Sequence, residues 1–115
     1  MPMFDIMAVA GIIIHAFGRM VFYPWAYTDD PVDGPSQFKM DRLARSMAKE
    51  NKYETGQISQ ILYKARGSSS DYYHWKTGTI AMAAEVYKGK IPHKSRIPDA
   101  VAETREMIYR FIEGE

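Results

Sequence analysis

An apolar run that stops abruptly on a carboxylate constrains this chain more than any other feature. Thr79 to Ala84 is small and apolar, and Glu85 follows at once. Such a run reads as a buried strand delivering its charged residue to the edge of a sheet. Strand ends of open α/β sheets are where ligand crevices form. The residues before it carry their own punctuation. Ile58, Ile61 and Leu62 lead to Tyr63, and Gly67 to Ser70 make a Gly-Ser turn. Asp71, Tyr72, Tyr73 and Trp75 form an acidic-aromatic cluster, and Gly78 opens the run. Pattern alone leaves two readings of each polar group. Glu85 is the first solvated residue of a loop, or a general base tuned by burial or a nearby cation. Tyr63 is a ring packed on the sheet edge, or a mobile phenol donor.

The N-terminal half offers a matching strand. Ile6 to Ile14 is entirely apolar or Gly. It is too short to span a bilayer, which takes about 20 residues. Asp5 precedes it and no Lys or Arg does, unlike a signal peptide. Ala8 to Ile14 is therefore expected to be a buried central strand that delivers His15. Ala16 to Gly18 reads as a break, and Arg19 to Tyr23 as a second extended segment stopped by Pro24. A Pro-, Gly- and Asp-rich loop follows. Ser36 is expected to cap an amphipathic helix reaching about Asn51, with Met40, Leu43, Ala44, Met47 and Ala48 at helical spacing. Tyr53 to Gly56 reads as a turn, and Gln57 to Leu62 as a short helical turn or strand. Ser68 to Ser70 are expected to cap a short helix. Pro98 opens a last helix whose face is Val101, Thr104, Ile108, Phe111 and Ile112, and Gly114 ends it. The expected class is α/β, with about three strands in a partly parallel sheet. A buried parallel sheet wants helices on both faces, so so narrow a sheet looks like part of something wider.

Composition excludes several alternatives. With 15 basic and 14 acidic residues among 115, the net charge is +1. That gives no electrostatic case for nucleic acid or an anionic membrane surface. The absence of cysteine rules out disulfides and thiolate metal ligands. His15, His74 and His93 are the only imidazoles, and no His-Glu-x-x-His or His-x-x-Glu pair occurs. His15 at a strand end is a hydrogen-bonded structural group or a ligand.

Two long motifs, in order, resemble the zinc metallocarboxypeptidases of the carboxypeptidase A/B type. The segment from His15 through Tyr23-Pro24-Trp25 to Thr28 resembles the one that carries that family's third zinc ligand. The segment from Tyr63 through Asp71 to Glu85 resembles its later signature: a substrate-capping Tyr, a Ser/Gly turn, an Asp, and a strand ending in the catalytic Glu. The likeness runs from about Ala8 to Phe111. It implies a partial doubly wound mixed sheet with flanking helices, with residues 1–115 forming a single partial domain, the C-terminal portion of such a catalytic domain.

By that resemblance His15 is a zinc ligand. Glu85 is the base that takes a proton from zinc-bound water. Tyr63 caps the substrate's terminal residue and Ser70 lines the pocket for its side chain. Phe17 falls on a substrate-binding position where the family often has Tyr, so a hydroxyl is lost, and Ala16 replaces the usual Ser. The family's His-x-x-Glu zinc pair and its substrate-binding Arg and Asn residues have no counterpart here. Hence the zinc site is incomplete and the chain alone is expected to be inactive. The alternative is a non-catalytic module that binds a peptide or partner. The implied partners are a peptide or protein C-terminus, and a second copy or a complementary N-terminal half on the bare sheet edge. The implied location is extracellular or periplasmic.

Overall fold

The computed structural model describes residues 10–114. Its elements are β1 (Ala10–Ala16), β2 (Met20–Tyr23), α1 (Gly34–Met47), β3 (Glu54–Gln57), α2 (Ile58–Ile61), α3 (Ser69–Thr77), β4 (Ile80–Val86) and α4 (Ile97–Glu113). The strands form one mixed sheet in the order β1-β4-β2-β3. β1 runs parallel to β4 and β2 parallel to β3, while β2 and β4 are antiparallel. The start of the expected first strand, Ala8 and Val9, lies outside the described residues. Its other end continues through His15 to Ala16, where a break was expected. Nor is it the buried central strand expected: it lies at the edge of the described sheet, part-exposed, because only β4 pairs with it.

Strand alternation sorts the side chains onto two unlike faces. Ile12 on β1, Val21 and Tyr23 on β2, and Ile80, Met82, Ala84 and Val86 on β4 meet α1 and α4 in the larger core. Met40, Met47, Met82 and Met107 are fully buried there. Methionine suits this seam because its unbranched, polarisable side chain fills irregular gaps. The other face is thinner. Phe22, Ala26 and Ile58 form a small cluster, with Met20, Ile61 and Ala83 packed against it.

Local chemistry explains most boundaries, and several differ from expectation. α1 is capped by Asp33, not Ser36: the Asp33 carboxylate accepts from the Ser36 N–H at 3.0 Å. Asp fills this role about as well as Ser, and Pro35 fits the first turn, where its missing N–H is not needed. The helix also ends earlier, at Met47. Tyr53 to Gly56 was expected to turn, yet Glu54–Gln57 is a fourth strand, with Met20 opposite Glu54 and Tyr23 opposite Gln57. Pairing with β2 overrides the weak local strand preference. Gly56 is there because a Cβ would sit 2.7 Å from Ile61 Cγ2. On α4 the expected apolar face holds in part, with Ile108 and Phe111 packed against the core. Met107 is completely buried while Val101 and Ile112 stay 45% and 71% exposed.

Candidate active-site cleft

The thin face of the sheet holds the cleft. Glu85 shares that face with Ala81 and Ala83, whose methyl side chains leave space above the strand. In the parallel register of β1 and β4, Glu85 pairs with His15, about 4.8 Å away across neighbouring strands. Both lie near the C-terminal ends of their strands, which is where open sheets place their crevices.

The far wall comes from the segment between α2 and α3. A cleft of about 300 Å³ is lined by His15, Glu85, Tyr63 and Ser70, together with Ile58 and Leu62 among others. His15, Glu85 and Ser70 reach it from three different elements, and Tyr63 comes from the loop after α2. Asp71 fixes this wall. Its carboxylate accepts from the Ala26 N–H at 2.8 and 3.0 Å and from the Tyr27 N–H at 3.1 Å. That ties the first turn of α3 to the loop after β2 and turns Ser70 inward, where it is 2% exposed. The Ala65 N–H donates to the Ala26 carbonyl at 2.9 Å and braces the same loop. Tyr63 by contrast is 63% exposed, a phenol at the mouth. Phe17 is not part of the cleft lining. It sits half exposed beyond the end of β1.

Glu85 is electrostatically unusual. Its Oε2 is buried and has no hydrogen-bond partner, the one such side-chain atom among the described residues. Burial pushes its carboxyl above the usual range, and nearby His15 pulls it partly back. Leaving such a group unpaired costs roughly 1–3 kcal/mol. Gly18 allows the close surroundings. Its φ is +150°, and a Cβ there would lie 2.6 Å from Met20 Cε and 3.4 Å from Glu85 Cβ.

Behind the strand ends lies a satisfied network that sequence reading missed. Arg19 donates from Nε to Glu103 Oε1 at 3.1 Å and from a terminal nitrogen to Oε2. The Tyr53 hydroxyl donates to Glu103 Oε1 at 2.6 Å and accepts from the Tyr87 N–H at 3.1 Å. The Gly18 N–H meets the Tyr87 carbonyl at 3.0 Å. α4 is thereby fastened to the segments that follow His15 and Glu85. These partners lie 34 to 84 residues apart, so no local pattern announces them. Ile58 and Leu62 could have been found: they stand one helical turn apart just before Tyr63.

The strand ends of a mixed sheet on an α/β scaffold thus hold a carboxylate and an imidazole side by side in one cleft. The family comparison is specific. The zinc carboxypeptidase family model matches residues 5–107, and the chain belongs to that family. Rat carboxypeptidase A1 is 33% identical over 69 residues, covering 55% of this chain and 16% of that protein; the human enzyme is 30% identical over the same length. Among solved structures, bovine thrombin-activatable fibrinolysis inhibitor in complex with tick carboxypeptidase inhibitor superposes with a TM-score of 0.78 at 19% identity. Carboxypeptidase A from Helicoverpa armigera gives 0.76 at 22%. They share the fold over 91% and 90% of this chain, which spans only 38% and 29% of theirs.

The described residues do not by themselves make the family's zinc site. A catalytic zinc needs three protein ligands and an open position. Among the described residues no three His, Cys, Asp or Glu side chains gather closely enough to hold a metal ion.

Proposed function

We propose that this chain carries the base-and-pocket half of a metallocarboxypeptidase site, as a partial domain that removes C-terminal residues from peptides only when the rest of the site is supplied. The observation that carries the reading is the buried, unpartnered Oε2 of Glu85 beside His15. A raised carboxyl is a fitting base near neutral pH. Glu85 takes a proton from the water that attacks the terminal peptide carbonyl. It returns the proton to the amine as the C–N bond breaks. Tyr63 at the mouth closes over the terminal residue, whose side chain points toward Ser70, Ile58 and Leu62. Ser70 is small and neutral, so this wall offers no counter-charge for a basic side chain. His15 would offer zinc one nitrogen donor, and the site's other donors would have to come from beyond the described residues. Phe17 is retained as a contact for the substrate's upstream residues. The family resemblance supports an extracellular or periplasmic setting.

Two measurements test this. Purified chain with added zinc should release no C-terminal amino acid from an N-acylated dipeptide, and sustained zinc-dependent release contradicts the inactivity. N-acetyl-leucine should shift the amide resonances of Tyr63, Ser70 and Glu85; a titration that leaves all three unmoved contradicts the pocket.

A specific observation also favours partner binding. β1 is an edge strand, and its Ile14 is 44% exposed. An open apolar edge invites another chain. Self-association or pairing with a complementary half should appear in sedimentation at high concentration, and a clean monomer counts against it.

A further inference from the structure

The wall that closes the cleft has a second side. Gly67 and Ser68 line the Glu85 cleft, and with Arg66 they also end a separate open groove of about 530 Å³. Aromatic rings from two elements face this groove: Trp25 and Tyr27 from the loop after β2, and Tyr72 and Trp75 from α3. Trp25 and Tyr27 meet edge-on at 5.5 Å, and Tyr72 and Trp75 lie tilted at 6.2 Å. Tyr27, Tyr72 and Trp75 are 53%, 54% and 69% exposed. Single exposed rings are ordinary on a protein surface, whereas a contiguous set marks an interaction site.

The groove's lining holds one cation, Arg66, and one carboxylate, Asp71. Asp71, its carboxylate, is already occupied by the N–H groups of Ala26 and Tyr27. Arg66 at the rim makes no ion pair or hydrogen bond among the described residues. Lys76 lies 5.9 Å from the Trp75 ring centroid. An aromatic-walled groove suits an extended proline-bearing segment, because polyproline II chains are already ordered before they dock. A free guanidinium at the rim adds preference for a carboxylate.

We infer that this groove binds an extended, proline-containing peptide segment that bears a carboxylate, with the Tyr27, Tyr72 and Trp75 rings flanking the prolines and Arg66 pairing with the acid. Nucleic acid bases also stack on exposed rings, but such sites track the backbone with a row of cations. Here a single cation, Arg66, lines the groove, with Lys76 beside the Trp75 ring, on a chain whose net charge is +1.

The molecule carries its own reporter, since both of its tryptophans, Trp25 and Trp75, line the groove. The test is a tryptophan-fluorescence titration of the full chain with a Pro-Pro-Glu repeat peptide, acetylated and amidated at its ends. Such a probe has no terminal carboxylate to enter the Tyr63 cleft, so its result is independent of the peptidase reading. A saturable change is expected. A Pro-Pro-Gln peptide, and the Arg66→Gln variant with the acidic peptide, should each bind about tenfold more weakly. Tyr72→Ala should weaken both peptides. No saturable change up to millimolar peptide overturns the proposal. So does undiminished affinity in Arg66→Gln, or equal affinity for oligothymidylate.

Discussion

Glu103 and Glu85 lie near the same strand ends and have opposite surroundings. Glu103, on α4, accepts from Arg19 twice and from the Tyr53 hydroxyl. Those bonds, Arg19's first, hold its carboxyl below the usual range despite burial. Glu85, on β4, has a buried oxygen with no donor at all, and burial raises its carboxyl. One carboxylate is committed to fastening a helix to the sheet. The other has a buried oxygen that no donor meets, and carboxyls perturbed in this way cluster at functional sites. The two faces of the sheet repeat the contrast. The Glu103 side is closed by α1 and α4 over four fully buried methionines, while the Glu85 side opens into the cleft.

The contrast can be broken or sharpened by substitution. The largest effect is expected on the closed face: Met107→Ala should cost about 2–5 kcal/mol in urea unfolding, because a fully buried side chain leaves a cavity. A loss no greater than that of an exposed substitution would mean that α4 is not seated as described. Next, Tyr53→Phe strands the Tyr87 N–H and removes a donor to Glu103, and should cost about 1–3 kcal/mol. It should also alter the alkaline limb. Burial, then the bond to Glu103, pushes the Tyr53 hydroxyl up to about 12. Its stabilising contribution is therefore complete below the ordinary value of 10.0 and lost as pH rises toward about 12. The variant should lack that loss, to be read from melting temperatures across the alkaline range.

The smallest effect is expected at Glu85. Glu85→Gln should change stability at pH 7 by less than about 1 kcal/mol, in the stabilising direction. The sign follows from linkage. A raised carboxyl favours the folded state at low pH, and that advantage is lost as pH rises through the raised value. Glu103 behaves oppositely: its contribution is present above the ordinary carboxylate range and lost as pH falls through its lowered value. The Gln variant should therefore gain on the parent chain as pH rises from acid to neutral. A substantial loss at pH 7 would mean that Glu85 is a structural residue after all.

Much of the cleft was legible because its signals are local. The apolar run ending at Glu85, the strand ending at His15 and the Gly-Ser turn between Tyr63 and Asp71 all lie within short windows. Strand parity then places Glu85 and His15 on one face. What escaped depends on distant partners. β3 forms only because β2 lies beside it, and Gly56, needed for close approach to Ile61, imitates a turn signal. Met107 was overlooked because the expected face runs through Val101 and Ile112, which stay exposed. The Arg19–Glu103–Tyr53 network joins three separate segments. Phe17 carried a family position but lies outside the cleft lining, since the turn after Ala16 leaves its ring half exposed.

Zinc calorimetry on the purified chain at neutral pH, beside a His15→Ala control, tests the central claim most directly. A chain that supplies one imidazole and an unpaired carboxylate to a site completed elsewhere should bind zinc weakly or not at all, with little change in the control. Tight one-to-one binding that the His15→Ala substitution abolishes would contradict this account and make the chain a metal centre in its own right.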